Sequence, residues 1–364
     1  MFAPQFHLTP AITKALMTIE ACRQALEALP LTAPLLATLR ETSRLQATHY
    51  STQIEGNRLT LAEVRAVLQE GRQLRGRERD AREVQYYDQA LDEVEILRQQ
   101  PGPLTESQIQ LLHGLVMTGR RRPTPYRDGQ NVIRDYRTGA IVYLPPEAQD
   151  VPGLIADLVQ WINQEIVRDE LPIPILAALA HYQFATIHPY YDGNGRTARL
   201  LTTLLLHRHG YGLRGIYALE AYYAEHLQDY YEALAAGESH NYYLGRAEAE
   251  VTRFVAYFCL GMAEACTKVR AQAERLHAQG VVDQAPQLRE LTAQQRRVLP
   301  LFVEHRRITA KDLAAFLGLS SRQASDLCGR WVREGFLDVA DPSKKARRYQ
   351  LAPVYEALVA PHLA

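Results

Sequence analysis

The sequence is poor in the features that anchor or staple a chain from outside its core. Cysteine occurs four times in 364 residues, at Cys22, Cys259, Cys266 and Cys328, with no CxxC spacing and no histidine cluster beside any of them. This pattern excludes a disulfide framework. The thiols are expected to be buried or free in a reducing compartment, the cytoplasm. No apolar run of about 18 residues occurs, so no membrane-spanning helix and no membrane partner are expected. The N-terminus lacks a basic stretch followed by an apolar one, so no signal peptide is expected. An excess of one charge is also missing: 41 Lys and Arg face 41 Asp and Glu, and no global field recruits nucleic acid or lipid. Internal repeats and low-complexity tracts are absent. What remains is an ordinary globular composition, 47% apolar, at a length that suggests two or three domains.

Apolar residues recur at helical spacing through most of the chain. Helices are predicted over Ala11–Leu29, Ala33–Ile54, Leu61–Glu70, Glu78–Gln99, Thr105–Met117, Gly153–Arg168, Pro174–Ile187, Thr197–His207, Ala221–Ala236 and Val251–Leu276. Between them, Val132-Ile133, then Arg137-Thr138-Gly139-Ala140, then Ile141-Val142-Tyr143 read as strand, turn, strand. An isolated hairpin is marginal alone, so it is expected to lean on a functional site. A linker over 279–287 leads to three short helices (Thr292–His305, Thr309–Leu317, Ser320–Glu334) with a turn at Gly318-Leu319. Two strands, 336–339 and 347–351, bracket a basic loop at Lys344-Lys345. The expected fold is mainly α: a helical bundle with a small β-hairpin flap, followed by a small C-terminal domain. The expected boundaries are 1–100, 101–278 and 288–354.

The chemistry concentrates in His188-Pro189-Tyr190-Tyr191-Asp192-Gly193-Asn194-Gly195-Arg196-Thr197-Ala198-Arg199. Pro189 disfavours αR geometry at His188 and should stop the preceding helix there. A loop with glycines at 193 and 195 presents backbone N–H groups at a helix N-terminus, which makes an anion site. Arg196 and Arg199, three apart, add two guanidiniums suited to a polyphosphate. Asp192 is a hard oxygen ligand where a metal would be held by one carboxylate and phosphate oxygens. His188 titrates near neutrality when unperturbed, as a general base should. Together these residues describe a phosphate-activated transfer site.

This stretch resembles the signature of the Fic family, His-Pro-Phe-x-Asp-Gly-Asn-Gly-Arg-x-x-Arg. Eight of nine fixed positions match, and Tyr190 replaces the Phe. The resemblance implies a Fic-type helical bundle and a nucleotidyl transferase that uses ATP with Mg²⁺ or Mn²⁺. His188 would deprotonate a target hydroxyl. Asp192 would hold the metal. Gly193, Asn194 and Gly195 would line the anion hole, and Arg196 and Arg199 would grip the outer phosphates. AMP would pass to a protein Ser, Thr or Tyr, the chain itself included, and pyrophosphate would leave.

Three further segments extend the likeness. Ser51-Thr52-Gln53-Ile54-Glu55-Gly56-Asn57 ends a predicted helix at a good stop. It leaves Glu55 in the last turn, where the dipole disfavours a carboxylate and a cationic partner is expected. The segment is similar to the family's inhibitory motif, with Ser51 one turn back on the same face, which implies that Glu55 pairs with Arg199 and blocks the γ-phosphate. The hairpin, with Ile141, Val142 and Tyr143, looks like the family's flap, which would hold a target segment by strand addition. Tyr230 and Tyr231 match a tyrosine pair that contacts the adenine base, although Gly237-Glu238 stands where the family often has Asn.

The C-terminal region resembles a winged helix-turn-helix domain. From Glu290 to Tyr349 twelve Lys and Arg stand against seven Asp and Glu. Ser321, Arg322, Gln323 and Ser325 are candidates to face a DNA groove; protein interaction or homodimerisation is the other reading of the same domain. His207-x-His209 reads as a helix end with histidines on the dipole, since no Cys or carboxylate pairs with it in sequence. The alternatives to AMP transfer are removal of AMP at the same site and transcriptional regulation through the winged helix.

Overall fold

The computed structural model describes residues 2–134, 139–237, 239–278, 291–317, 319–341, 343, 347–356 and 359. The expectations at Arg137-Thr138, Glu238, 279–287, Gly318 and Lys344-Lys345 lie outside the described residues. The chain divides into two compact units, 1–29 with 40–272 and 30–39 with 273–364.

The first unit is helical: α1 (Pro10–Ala28), α2 (Ala33–Ile54), α3 (Leu61–Gln69), α4 (Glu78–Gln99), α5 (Glu106–Thr118), α6 (Val151–Arg168), α7 (Ile173–Ile187), α8 (Asn194–Arg208), α9 (Leu219–Glu225), α10 (Leu227–Leu234) and α11 (Thr252–Ala278). Capping chemistry sets several starts. Thr60 and Glu63 form a capping box at α3, and Thr105 and Gln108 form another at α5. At the centre stands α7, apolar and buried nearly all round, as a helix packed on every side must be. It packs on α6 and α8, while α4 and α5 pack on each other and on α8. Helix α4 therefore packs with the signature helices, while Leu45, Leu59, Val64, Val67 and Val84 form a smaller cluster of their own. Among the described residues no helix is long and apolar enough to cross a membrane.

Two departures from expectation bear on the site. The signature helix starts at Asn194 instead of Thr197, because Gly193, in the left-handed region at φ 76°, serves as its N-cap. Gly195 thus lies in the first turn and not in the loop. Helix α2 ends at Ile54 as expected, and Glu55 falls just past it in a turn completed by Gly56 at φ 94°. The tyrosine-rich segment forms two helices broken at His226.

The flap pairs β1 (Ile133–Arg134) with β2 (Ile141–Tyr143) antiparallel, with Ile133 opposite Tyr143 and Arg134 opposite Ile141. In the second unit α12 (Ala293–Glu304), β3 (Ile308–Thr309), α13 (Ala310–Leu317), α14 (Ser321–Arg333), β4 (Leu337–Asp341) and β5 (Arg348–Leu351) precede the short α15 (Pro353–Glu356). The sheet order is β3-β5-β4, antiparallel. Phe302, Leu313, Leu327, Trp331, Phe336 and Tyr349 fill its core.

Two histidines are built into the first unit's core in neutral form. His181 on α7 is fully buried, with Nδ1 at 2.9 Å from Thr202 Oγ1 and Nε2 at 2.9 Å from the Tyr230 hydroxyl. Burial, with the Arg199 charge, pushes it down to about 3. Burial pushes His113 on α5 down to about 4. Both values are depressed, so the unfolded chain takes up protons first as the pH falls below 6.5, the ordinary value for His. This stability is complete above that pH and lost below it. At pH 5 each histidine should account for about 2 kcal/mol of lost stability. A melting temperature that falls between pH 7 and pH 5 is expected; an unchanged one would contradict it.

Candidate active site

Helix α7 stops where proline chemistry requires. His188 takes a left-handed conformation (φ 51°, ψ 59°), and its N–H donates to Phe184 O at 3.0 Å. A non-glycine residue is strained there. Its ring Nδ1 lies 3.4 Å from Ala185 O. A carbonyl only accepts, so Nδ1 carries the hydrogen and Nε2 keeps its lone pair. Burial pushes the imidazole down to about 4, against the pull of the Glu55 and Asp192 carboxylates. His188 is therefore neutral at physiological pH, the form a proton acceptor needs.

The loop that follows is held by three residues from different elements. Asn194 accepts from Tyr190 N–H at 2.9 Å and donates to Tyr190 O at 2.8 Å. Its side chain thus clamps the loop, and only its backbone is left for an anion. His113 donates from Nε2 to Asp192 O at 2.9 Å, and its ring stacks on Tyr190 with centroids 3.4 Å apart. Arg127, 4% exposed, donates to His188 O and Gly129 O at 3.0 Å each, and to Pro146 O. It ties the base of the flap to the loop. Neither Arg127 nor His113 stands out in the sequence as a site residue. Each is a single polar residue whose partners are remote in sequence, and no local pattern marks it.

The cradle itself is strongly cationic. Arg196 is buried, with Nη2 3.3 Å from Asp192 Oδ1 and Nε without a hydrogen-bond partner among the described residues. Asp192 Oδ1 also accepts from Gly193 N–H at 2.6 Å. The Asp192 side chain is more than half exposed, so a carboxylate is available to a hard cation that takes its other ligands from substrate and water. The donor set fits Mg²⁺ or Mn²⁺ in that manner.

Arg199 is held from the opposite side. Its side chain is 1% exposed. Nε donates to Ser51 Oγ at 2.7 Å, and Nη2 donates to Ser51 O at 2.8 Å and Glu55 Oε1 at 2.7 Å. Burial works against its charge, yet the Glu55 carboxylate and the Tyr230 and Tyr87 hydroxyls hold its pKa above the usual arginine value. Nη1 is buried without a partner. The Glu55 carboxylate rests on Gly195: a Cβ there would overlap Glu55 Oε1 and stand 3.2 Å from Arg199 Nη1. Gly195 is thus required by close approach and not by a turn. A carboxylate already lies in the anion cradle at the start of α8.

The remaining site residues separate. Tyr230 is 2% exposed and committed to His181, whereas Tyr231 is 49% exposed, so only Tyr231 offers a ring to a ligand. In the flap Ile141 and Val142 face outward. Tyr143 turns inward instead, with its hydroxyl donating to Thr186 O at 2.7 Å and Arg246 over its ring; it anchors the flap. In the second unit Ser321, Arg322 and Ser325 are exposed, but Gln323 Oε1 caps its own helix by accepting from Ser320 N–H at 3.0 Å. His207 Nδ1 meets Glu95 Oε1 at 2.9 Å. The cluster Glu225, His226, Glu264 has the compactness of a metal site, but Lys268 Nζ sits on both carboxylates at 3.0 and 2.9 Å.

A base one residue past one helix and an anion cradle at the start of the next define a class of phosphate-handling transfer site. Comparison with known proteins names that class: residues 103–206 match the model of the Fic/DOC family. Residues 103–206 thus carry a Fic/DOC-type domain. The chain's relatives include protein adenylyltransferase Fic of Drosophila erecta, 32% identical over 199 residues, which are 54% of this chain and 39% of that protein. Protein adenylyltransferase fic-1 of Caenorhabditis briggsae is 33% identical over 201 residues, 54% of this chain and 38% of that protein. The chain thus spans about two fifths of the length of these relatives. A Fic family protein of Desulfovibrio desulfuricans shares the fold over 97% of this chain and 99% of its own, with a TM-score of 0.60 at 24% identity. A Fic domain containing signaling protein of Bacteroides thetaiotaomicron matches 71% of this chain and 97% of its own, with a TM-score of 0.61 at 25% identity.

Proposed function

We propose that this chain is an autoinhibited Fic-type protein adenylyltransferase. The observation that carries the reading is the Glu55 carboxylate lying in the anion cradle, 2.7 Å from Arg199. In the active form ATP takes that place. Its outer phosphates meet Arg196, Arg199 and the N-terminus of α8, and Tyr231 offers a ring to the base. A Mg²⁺ or Mn²⁺ held at Asp192 would neutralise charge on the phosphates. A target segment lies along Ile141 and Val142. His188 Nε2 takes the proton of a Ser, Thr or Tyr hydroxyl, whose oxygen attacks the α-phosphorus. The bond from that phosphorus to the β-phosphate bridge breaks, and pyrophosphate leaves. With Glu55 in place the γ-phosphate has no seat, and the α-phosphate is poorly aligned for attack.

Two substitutions test this. His188→Ala should lower transfer of label from ATP by roughly a hundredfold or more while nucleotide binding stays within about twofold, since the imidazole acts on the hydroxyl. Near wild-type labelling by His188→Ala would refute the assignment. Glu55→Gly should raise AMP transfer about tenfold or more, equivalent to about 1.4 kcal/mol. Equal rates for wild type and Glu55→Gly across ATP concentrations would remove autoinhibition and leave the transferase reading standing.

A second activity is proposed for the C-terminal unit. Its order of helix, strand, two helices and two strands, with Arg322 exposed at the start of α14, suits a winged helix that meets the DNA backbone. Retention of labelled duplex by the full chain should fall steeply with salt and weaken in Arg322→Ala. Absence of salt-dependent retention would favour protein interaction or dimerisation.

A further inference from the structure

Beneath the contact between Glu55 and Arg199 lies a buried chain of hydrogen bonds that the proposed reaction does not use. Tyr87 on α4 is fully buried, and its hydroxyl donates to Glu220 Oε1 on α9 at 3.2 Å. Ser51 on α2, also fully buried, accepts from Arg199 Nε at 2.7 Å and passes its own hydrogen to the Tyr87 oxygen. The direction of the chain is dictated by proton count. A guanidinium only donates, so Ser51 must accept there and give its one hydrogen onward. Tyr87 must then do the same. The last member has to be an acceptor, and a carboxyl oxygen of Glu220, itself 4% exposed, fills that place.

Three helices, α2, α4 and α9, thus back one guanidinium. The other side of Arg199 is less secured: Nη1 has no hydrogen-bond partner among the described residues, and Nη2 is shared between Ser51 O and the partly exposed Glu55. Once Glu55 leaves, the two hydrogen bonds that still hold Arg199 among the described residues are both to Ser51, with the Tyr230 hydroxyl beside the guanidinium. The Ser51 hydroxyl stays turned toward Nε only while Tyr87 takes its hydrogen. Without that acceptor a helical serine turns its hydrogen back to a carbonyl of its own helix.

We infer that Tyr87 and Glu220 are positioning residues for Arg199, which keep its guanidinium aimed into the cradle when no carboxylate holds it. The inference rests on the reading above that Arg199 grips the outer phosphates of ATP. It separates two ligands. ATP reaches Arg199 through its γ-phosphate, and AMP does not.

The test is calorimetric titration of full-length Glu55→Gly protein with β,γ-imido ATP and with AMP, both in the presence of Mg²⁺. Adding Tyr87→Phe or Glu220→Leu should weaken the ATP analogue about fivefold, as expected for one lost hydrogen bond, and leave AMP within about twofold. Glu220→Gln should keep both affinities, since an amide oxygen still accepts from Tyr87. Equal losses for the two ligands would mean a merely structural role, and no loss for either would mean that Arg199 needs no such support; both overturn the inference. If Glu220→Leu does not fold, Tyr87→Phe, which removes a single oxygen, decides alone. Arg199→Ala in the same background distinguishes the two levels of failure. Intact binding of the ATP analogue would sink the reading of Arg199 itself. Weakened binding there, with Tyr87→Phe unaffected, would sink only the present inference.

Discussion

A guanidinium that is 1% exposed must find nearly all its solvation inside the protein, and most of this site follows from how Arg199 does so. Removing one partner of a buried ion pair leaves an uncompensated charge, which is strongly destabilising. Arg199 therefore always needs an anion in the cradle. In this structure the anion is Glu55. In the proposed active form it is a phosphate. The Glu55–Arg199 contact is thus, on the proposed reading, one of two alternative solutions to the same electrostatic problem. Glu55 suits the exchange because its side chain is 30% exposed while the arginine is not. The carboxylate can return to water, whereas the guanidinium stays where it is.

The base obeys a different constraint. His188 is the last point of α7 and the first of the loop, and its neutral form follows from burial among apolar helix ends. Its orientation comes from two sides. The Ala185 carbonyl fixes the tautomer, and Arg127 holds the His188 carbonyl. The same arginine holds Pro146 O at the base of the flap. Flap and base therefore share one strut. A target segment laid along Ile141 and Val142 would lie in a register tied mechanically to the group that must deprotonate it.

Much of this was legible in sequence where a short local rule decides the outcome. The bounds of α2 and α4 followed from helical periodicity and matched residue for residue, and Pro189 marked the end of α7. Local rules failed where a residue's reason lies elsewhere in the chain. Gly195 reads as a loop glycine, yet its backbone is helical; the lack of a side chain is explained by Glu55, 140 positions upstream. Tyr230 and Tyr231 are adjacent on one short helix, about 100° apart around its axis. One must face the core and the other water, and the sequence does not say which. Gln323 looks like an exposed reader of DNA until Ser320 is seen to need it as a cap. His113, Tyr87 and Glu220 carry no pattern at all, because each is a single polar residue defined by a partner two or three helices away.

The competition for Arg199 also bears on the direction of the proposed reaction. Forward transfer requires the γ-phosphate to displace Glu55. A site holding only AMP, or AMP joined to a target hydroxyl, has no γ-phosphate to do so. In that state the carboxylate keeps its place on Gly195 and Arg199, within the electrostatic reach of His188 that its influence on the imidazole reveals. A second acid–base group then faces the same phosphate from the side opposite the target. Placed there, Glu55 is suited to orient a water for attack, which would run the transfer in reverse. On the proposed reading, the residue that blocks one direction would be the one the other direction needs, and the occupant of Arg199 would set which direction is open.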